Sequence, residues 1–281
     1  MTGQSQDLNQ VLEGLQRAEF DRCLSLQNTM RIVQIAIAIL GAGSAFLNAP
    51  IYNMILAAVA LILAVAYAWL GNSYKSCRSH AERVRRTTLL SKGLGINISP
   101  IERTEMLTLF SSSLEAGRKA QDDNYYASKE QVGKRRLIEM LEESAFWSAD
   151  LYRHAETRAW IRAGVFLVIT VLALIFLPIF TGLGLQAINA SQGMCAILVL
   201  FVSGEVIGAA LAYREAADAA KSVVQRLQRL KEKSDENLSD DILMILGDYN
   251  SAVEGAPMVP AKIYLRRKDK INAHWSDQKQ F

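Results

Sequence analysis

Lysine and arginine are missing from two long stretches of this chain, Ile32 to Tyr74 and Ala163 to Tyr213. All 31 basic residues lie outside them, and Glu205 is the only charged side chain in the second stretch. A fifty-residue apolar stretch with one carboxylate is hard to place in a soluble fold. Cysteine and histidine are also scarce. Cys23, Cys77 and Cys195 are scattered with no CxxC, and His80, His154 and His274 form no ligand spacing with them. The expectation is a reduced compartment and no metal site.

Catalytic signatures are missing as well: there is no GxSxG, no HExxH and no Walker-type glycine loop. Asp122-Asp123 and Glu142-Glu143 are sequence neighbours, which diverge by about 100° on a helix and make poor acid–base pairs. The chain is therefore read as a non-enzyme without a cofactor. A net charge of +3 is too small to argue for a nucleic acid polymer. Residues 1–29 have no basic segment followed by an apolar core, so no cleavable signal is expected, and the first apolar run serves as an uncleaved anchor. No alternating strand pattern stands out.

What the chain does have is four apolar runs. Ile32–Leu47 and Tyr52–Leu70 are separated by Asn48-Ala49-Pro50, and Val165–Leu185 and Gly193–Tyr213 by an uncharged polar link. Each is about 16–21 residues long, near the 20 needed to cross a bilayer core of roughly 30 Å. Both termini and the middle segment carry the basic residues, 3 before the first run, 16 in the middle and 12 at the end. The positive-inside bias puts these three segments in the cytoplasm.

The expected fold is an all-α membrane protein: four transmembrane helices in two hairpins with a helical cytoplasmic domain. Its segments are an N-terminal amphipathic helix (1–31), hairpin 1 (32–71), a helical cytoplasmic domain (72–162), hairpin 2 (163–213) and a helical cytoplasmic tail (214–281). The amphipathic helix can pack on the cytoplasmic domain or lie on the membrane surface. After the second span a basic-faced helix runs to about Leu90, ended by Gly93-Leu94-Gly95. Ser99-Pro100-Ile101-Glu102 is a capped helix start, with an apolar face extending to Phe110 and Leu114. Asp122-Asp123-Asn124 breaks the pattern, and a helix from about Gly133 enters the third span. The fourth span runs on to about Lys233, and Leu238–Val253 forms a helix with Ser239 or Asp240 as cap. Pro257 to Trp275 reads as a short, basic, aromatic ending.

Two groups of residues are candidates for function. A carboxylate at mid-membrane costs on the order of 2.5–3.5 kcal/mol on insertion scales, so Glu205 should face protein or water. Gly204, Gly208 and Ala212 make a small-residue stripe beside it, and Gln34 lies at a shallower level. Copies of Glu205 could ring a cation path in a homo-oligomer, or Glu205 could be protonated or bonded to Gln34, Ser203 or a backbone carbonyl and only fix helix packing. The basic clusters Arg83/Arg85/Arg86, Lys134/Arg135/Arg136 and Arg266/Arg267/Lys268 fit membrane lipid headgroups or a phosphate-bearing ligand.

Three segments bear a family resemblance. They are Leu141-Glu142-Glu143-Ser144-Ala145-Phe146-Trp147-Ser148, then Asp248-Tyr249-Asn250, then Pro257-Met258-Val259-Pro260 to Tyr264, with Asn272 and Trp275 near the end. With the span layout, they make the chain resemble the four-transmembrane effectors associated with SMODS-type nucleotidyltransferases. The resemblance implies a pore-forming or membrane-disrupting effector of antiphage defence in the bacterial inner membrane, with a cyclic oligonucleotide as candidate trigger. The alternative is a non-conducting membrane anchor or signalling subunit that recruits a cytoplasmic partner.

Overall fold

The computed structural model describes residues 2–44, 47, 49–121, 125–181, 207–232 and 238–278. Among them are eight helices and no strand: α1 (Thr2–Ser44), α2 (Pro50–Leu94), α3 (Pro100–Leu109), α4 (Leu114–Lys119), α5 (Lys134–Thr181), α6 (Ile207–Lys231), α7 (Leu238–Gly255) and α8 (Ala261–Gln278). They form two compact units. One comprises Met1–Ser25, Tyr74–His154 and Tyr213–Phe281, the other Leu26–Ser73 and Ala155–Ala212.

Local chemistry sets several ends. Ser99 accepts a bond from the Glu102 amide at 3.1 Å, with Pro100 opening α3, and Gly95 adopts φ +74° where α2 stops. The Gly133 amide then donates to the Gly93 carbonyl at 2.8 Å, tying the start of α5 to that stop. The helix after Ser99 is shorter than its apolar face suggested, ending at Leu109. The reason lies in a distant carboxylate: Glu19 accepts the Ser112 amide at 3.0 Å and its hydroxyl at 2.6 Å. That interaction competes with helix continuation, and Ser113 caps a new helix at Leu114. Ser239 and Asp240 lie inside the first turn of α7, which begins at Leu238.

The aromatic ending is also helical. Ile263, Arg267, Ile271 and Trp275 recur every four residues along α8, with Ile263, Ile271 and Trp275 buried. The stripe was present in the sequence but carried an arginine, which hid it. Arg267 forms a two-pronged bond to Asp150 at 2.7 and 2.9 Å.

In the first unit, Leu12, Val84, Ile98 and Met106 form a core on which Leu107 and Phe110 pack. Each such side chain contributes about 1.5–3 kcal/mol on full burial. The start of α1 packs inside this unit, and it is covered all round: Val11 through Gln16 are all buried. The close fit uses glycine. A Cβ on Gly14 would sit 2.0 Å from the Gly117 carbonyl oxygen, and one on Gly117 would sit 2.6 Å from Leu15. Polar groups enclosed here are paired, Glu13 with Lys92 and Gln16 with the Thr88 hydroxyl.

The second unit contains apolar helix. In α1 and α2 the described residues include two helices long and apolar enough to cross a membrane. Along α2, positions 53, 56, 60, 63, 67 and 70 are half-buried at alternating steps of three and four, while Ile51, Met54, Ile62 and Trp69 are exposed. That is the spacing of a helix–helix seam. Met30 of α1 lies 3.5 Å from the place a Cβ on Gly71 would take. At the turn, the Asn53 amide side chain donates to the Leu47 carbonyl at 2.9 Å. The part of α5 in this unit buries Ala155, Ala159, Ala163 and Thr170 and exposes Val165, Val168, Ile169 and Ile175.

Candidate functional site

A polar network in the first unit forms where α2 meets the end of α7. Three arginines of α2 hold that end. Arg78 donates to the Val253 carbonyl at 2.7 Å, Arg85 to Asn250 Oδ1 at 2.9 Å, and Arg86 to Glu254 at 2.5 Å. Cations at a helix C-terminus meet the negative end of its dipole and its free carbonyls. Arg85 also bonds Glu82 at 2.6 Å, and its guanidinium lies over the Tyr249 ring at 5.3 Å. Burial works to lower the Arg85 pKa, but the Glu82 carboxylate together with Tyr249 and Tyr126 outweighs it and leaves the group above its ordinary value.

Tyr249 connects this network to α5. Its hydroxyl lies 2.9 Å from the Ser148 hydroxyl and donates to the Ser144 carbonyl at 3.2 Å. Nearby, Tyr152 and Tyr213 pack with ring centroids 6.1 Å apart, and the Tyr213 hydroxyl donates to the Met258 carbonyl at 2.9 Å. Phe146 meets Trp275 at 5.3 Å, and Trp147 meets Tyr264 at 6.0 Å. Thus the segments that carry the resemblance, far apart in sequence, pack on one another. Burial raises the pKa values of Tyr152 and Tyr249 above the usual tyrosine value.

The five arginines expected to meet an anion are not gathered into one cradle. Arg83 binds Glu105 through two bonds at 2.9 and 3.2 Å, while Arg85 and Arg86 are committed to Glu82, Asn250 and Glu254. Arg136 donates to the Glu130 carbonyl at 3.1 Å. Arg135 lines a cavity of about 90 Å³ with Glu130, Ile138, Glu139, Leu230 and Lys231. Ligand pockets for small molecules run to roughly 300 Å³ and above, so this one is too small for a nucleotide, and two carboxylates line it. The α2 arginines hold the fold together in this arrangement. Of the third basic cluster, Arg267 is bound to Asp150.

The membrane-level candidates divide differently. Glu205 and Gly204 lie outside the described residues, as does Cys195. Gln34 is half-buried in α1. Among the described residues nothing lies within 4 Å of a Cβ placed on Gly208, and Ala212 is half-buried. Among the described residues, those that α6 buries include Ala209, Ala210, Tyr213, Ala216, Ala217 and Ala220.

Sequence reasoning missed two features. Glu13, Glu19 and Glu82 were not singled out in the sequence, yet all three are buried. Cys23 and Cys77, read as separate thiols of a reduced compartment, form a disulfide. Only the placement of each cysteine at the end of an apolar helical stripe hinted at it. Among the described residues no group of three or more His, Cys, Asp or Glu side chains stands together as a metal site. No protein family, no curated protein and no solved structure matches this chain.

Proposed function

We propose that this chain is a membrane effector that forms a ligand-triggered, homo-oligomeric pore, with four spans in two hairpins. One observation carries the reading. α1 and α2 present long rows of exposed aliphatic and aromatic side chains, Ile32 at 68%, Met54 at 73% and Trp69 at 69% among them. Exposed apolar area costs about 25 cal/mol per Å² in water, and lipid removes that cost. The exposed Val165, Val168, Ile169 and Ile175 of α5 support a third span. The fourth rests on the sequence from Gly193 to Tyr213.

The distribution of lysine and arginine favours an inner-membrane protein with both termini and the middle segment on the cytoplasmic side. In this reading the trigger acts on the cytoplasmic helices, several of which belong to the same continuous helices as the spans. The trigger must bind the open arrangement more tightly than the closed one, since equal affinity shifts nothing. A cyclic oligonucleotide is the trigger the family resemblance favours. It requires the α2 arginines to exchange carboxylate partners for phosphate, or a site built between copies. Among the described residues the face at Gly208 is open and available to a second copy.

The test is ion and dye release from liposomes holding the purified protein, with and without a panel of cyclic di- and trinucleotides. Release with one nucleotide, lost in Glu205→Gln, is the expected result. Release that ignores every nucleotide removes the trigger. Silence from folded, inserted protein removes the pore and leaves the anchor.

A further inference from the structure

The two cysteines of the first unit have no part in the proposed pore mechanism, yet they meet. Cys23 of α1 and Cys77 of α2 are 54 residues apart in sequence, have Cα atoms 5.9 Å apart and form a disulfide. Both side chains are sealed from solvent, at 0% and 3% exposure. The chain between them is the whole first apolar hairpin, closed at its turn by the bond from Asn53 to Leu47.

The register gives the pair its meaning. The half-buried stripe of α2 at 60, 63, 67, 70 and 74 steps by three or four residues and reaches Cys77 next. On α1 the stripe starts at Cys23 and continues through 26, 30, 33, 37 and 40. A covalent bond at this register stops α1 from sliding or rotating against α2. The Cys77 sulfur also lies 3.4 Å from the Glu19 carbonyl oxygen, so a reduced Cys77 has an acceptor for its proton.

We infer that Cys23 and Cys77 form a redox-controlled lock on the α1–α2 hairpin, closed as the disulfide and released by a dithiol. Its role in gating rests on the pore reading above, and so does the cytoplasmic placement of the pair. Disulfides in the cytosol are mostly transient or redox-sensing rather than permanent. In the releasing step a thiolate of the dithiol attacks one Sγ and the Cys23–Cys77 bond breaks as a mixed disulfide forms. The second thiol of the reductant then closes its own disulfide. Two electrons and two protons pass to the protein, leaving two thiols, and an oxidised dithiol reverses the step. Because both sulfurs are buried, exchange requires α1 to part from α2 there, so the rate of reduction also reports on that opening.

The experiment uses the full chain in liposomes on a Cys195→Ser background, with hydrogen exchange followed on α1 and α2 peptides before and after dithiothreitol. The expected result is exchange faster by about ten-fold or more on reduction. The Cys23→Ser/Cys77→Ser variant should exchange at the reduced rate in both conditions. Equal exchange before and after complete reduction overturns the lock, and so does a disulfide that dithiothreitol cannot reduce in the folded protein. Dye release is read in parallel. Release that rises on reduction, and is constitutive in the double variant, ties the lock to the pore. Faster exchange with no release under any condition keeps the lock and counts against the pore.

Discussion

The hydroxyl of Tyr249 and the hydroxyl of Ser148 lie 2.9 Å apart, joining α7 to α5 across 101 residues of sequence. The same phenol donates to the Ser144 carbonyl. Tyr249 is 3% exposed, so water cannot replace these partners if they are lost. Tyr249→Phe should lower stability by about 1–2 kcal/mol, with Ser148→Ala costing a similar amount. The two losses should not add, with a coupling of about 0.5 kcal/mol or more in a double-mutant cycle. Denaturant unfolding of the detergent-solubilised protein reads all four corners, and strict additivity would mean that the contact carries no energy.

Arg85, largely enclosed, pairs with the buried Glu82 at 2.6 Å. Arg85→Met leaves the Glu82 carboxylate enclosed without its counter-charge and should cost about 3–5 kcal/mol. Adding Glu82→Leu should recover most of that loss, because the unpaired charge rather than the missing attraction is the main cost. A thermal unfolding series of the single and double variants decides it. A single variant within about 1 kcal/mol of wild type would show that Glu82 finds another partner.

Two glycines in helices should respond in opposite directions. At Gly14 a methyl group would overlap the Gly117 carbonyl, so Gly14→Ala should destabilise by about 1–3 kcal/mol or more. At Gly247 of α7 the same methyl meets nothing within 4 Å, so Gly247→Ala should gain up to about 1 kcal/mol from helix propensity. Melting temperatures of the two variants, measured side by side, provide the comparison.

Alkaline pH should unfold the first unit through its tyrosines. Burial raises Tyr152 and Tyr249 above the value of 10 expected in the unfolded chain. The folded state therefore holds protons that the unfolded state releases, and stability falls as pH rises past about 10. Below that pH both states keep the protons and these groups contribute no slope. Denaturant midpoints between pH 8 and 11.5, with tyrosinate absorbance alongside, test the sign. In Tyr152→Phe/Tyr249→Phe the decline above pH 10 should be shallower.

Much of the local structure was legible before any coordinates. Ser99, Pro100 and Glu102 specify a helix start by capping chemistry, and the start is where that chemistry puts it. Gly95 specifies a left-handed stop. These signals act over a few residues, so a linear reading captures them. The end of α3 was not legible, because Glu19 draws the Ser112 backbone away from the helix from 93 positions earlier in the chain. Nor was the burial of Glu13, since its partner Lys92 lies 79 positions on. The candidate arginines could be listed from the sequence, but a list of cations cannot show which of them already hold carboxylates.

Taken alone, the sequence determined the helical character of the described residues and set where charge cannot go, because both follow from side-chain type at each position. The exposed rows on α1 and α2 follow the same apolar pattern. Tertiary structure alone decided which polar groups are enclosed, that the arginines of α2 hold the end of α7, and that Cys23 meets Cys77. Those outcomes depend on pairings between residues tens of positions apart. Such pairings are selected by the summed packing of whole helices, and no local stretch of sequence encodes them.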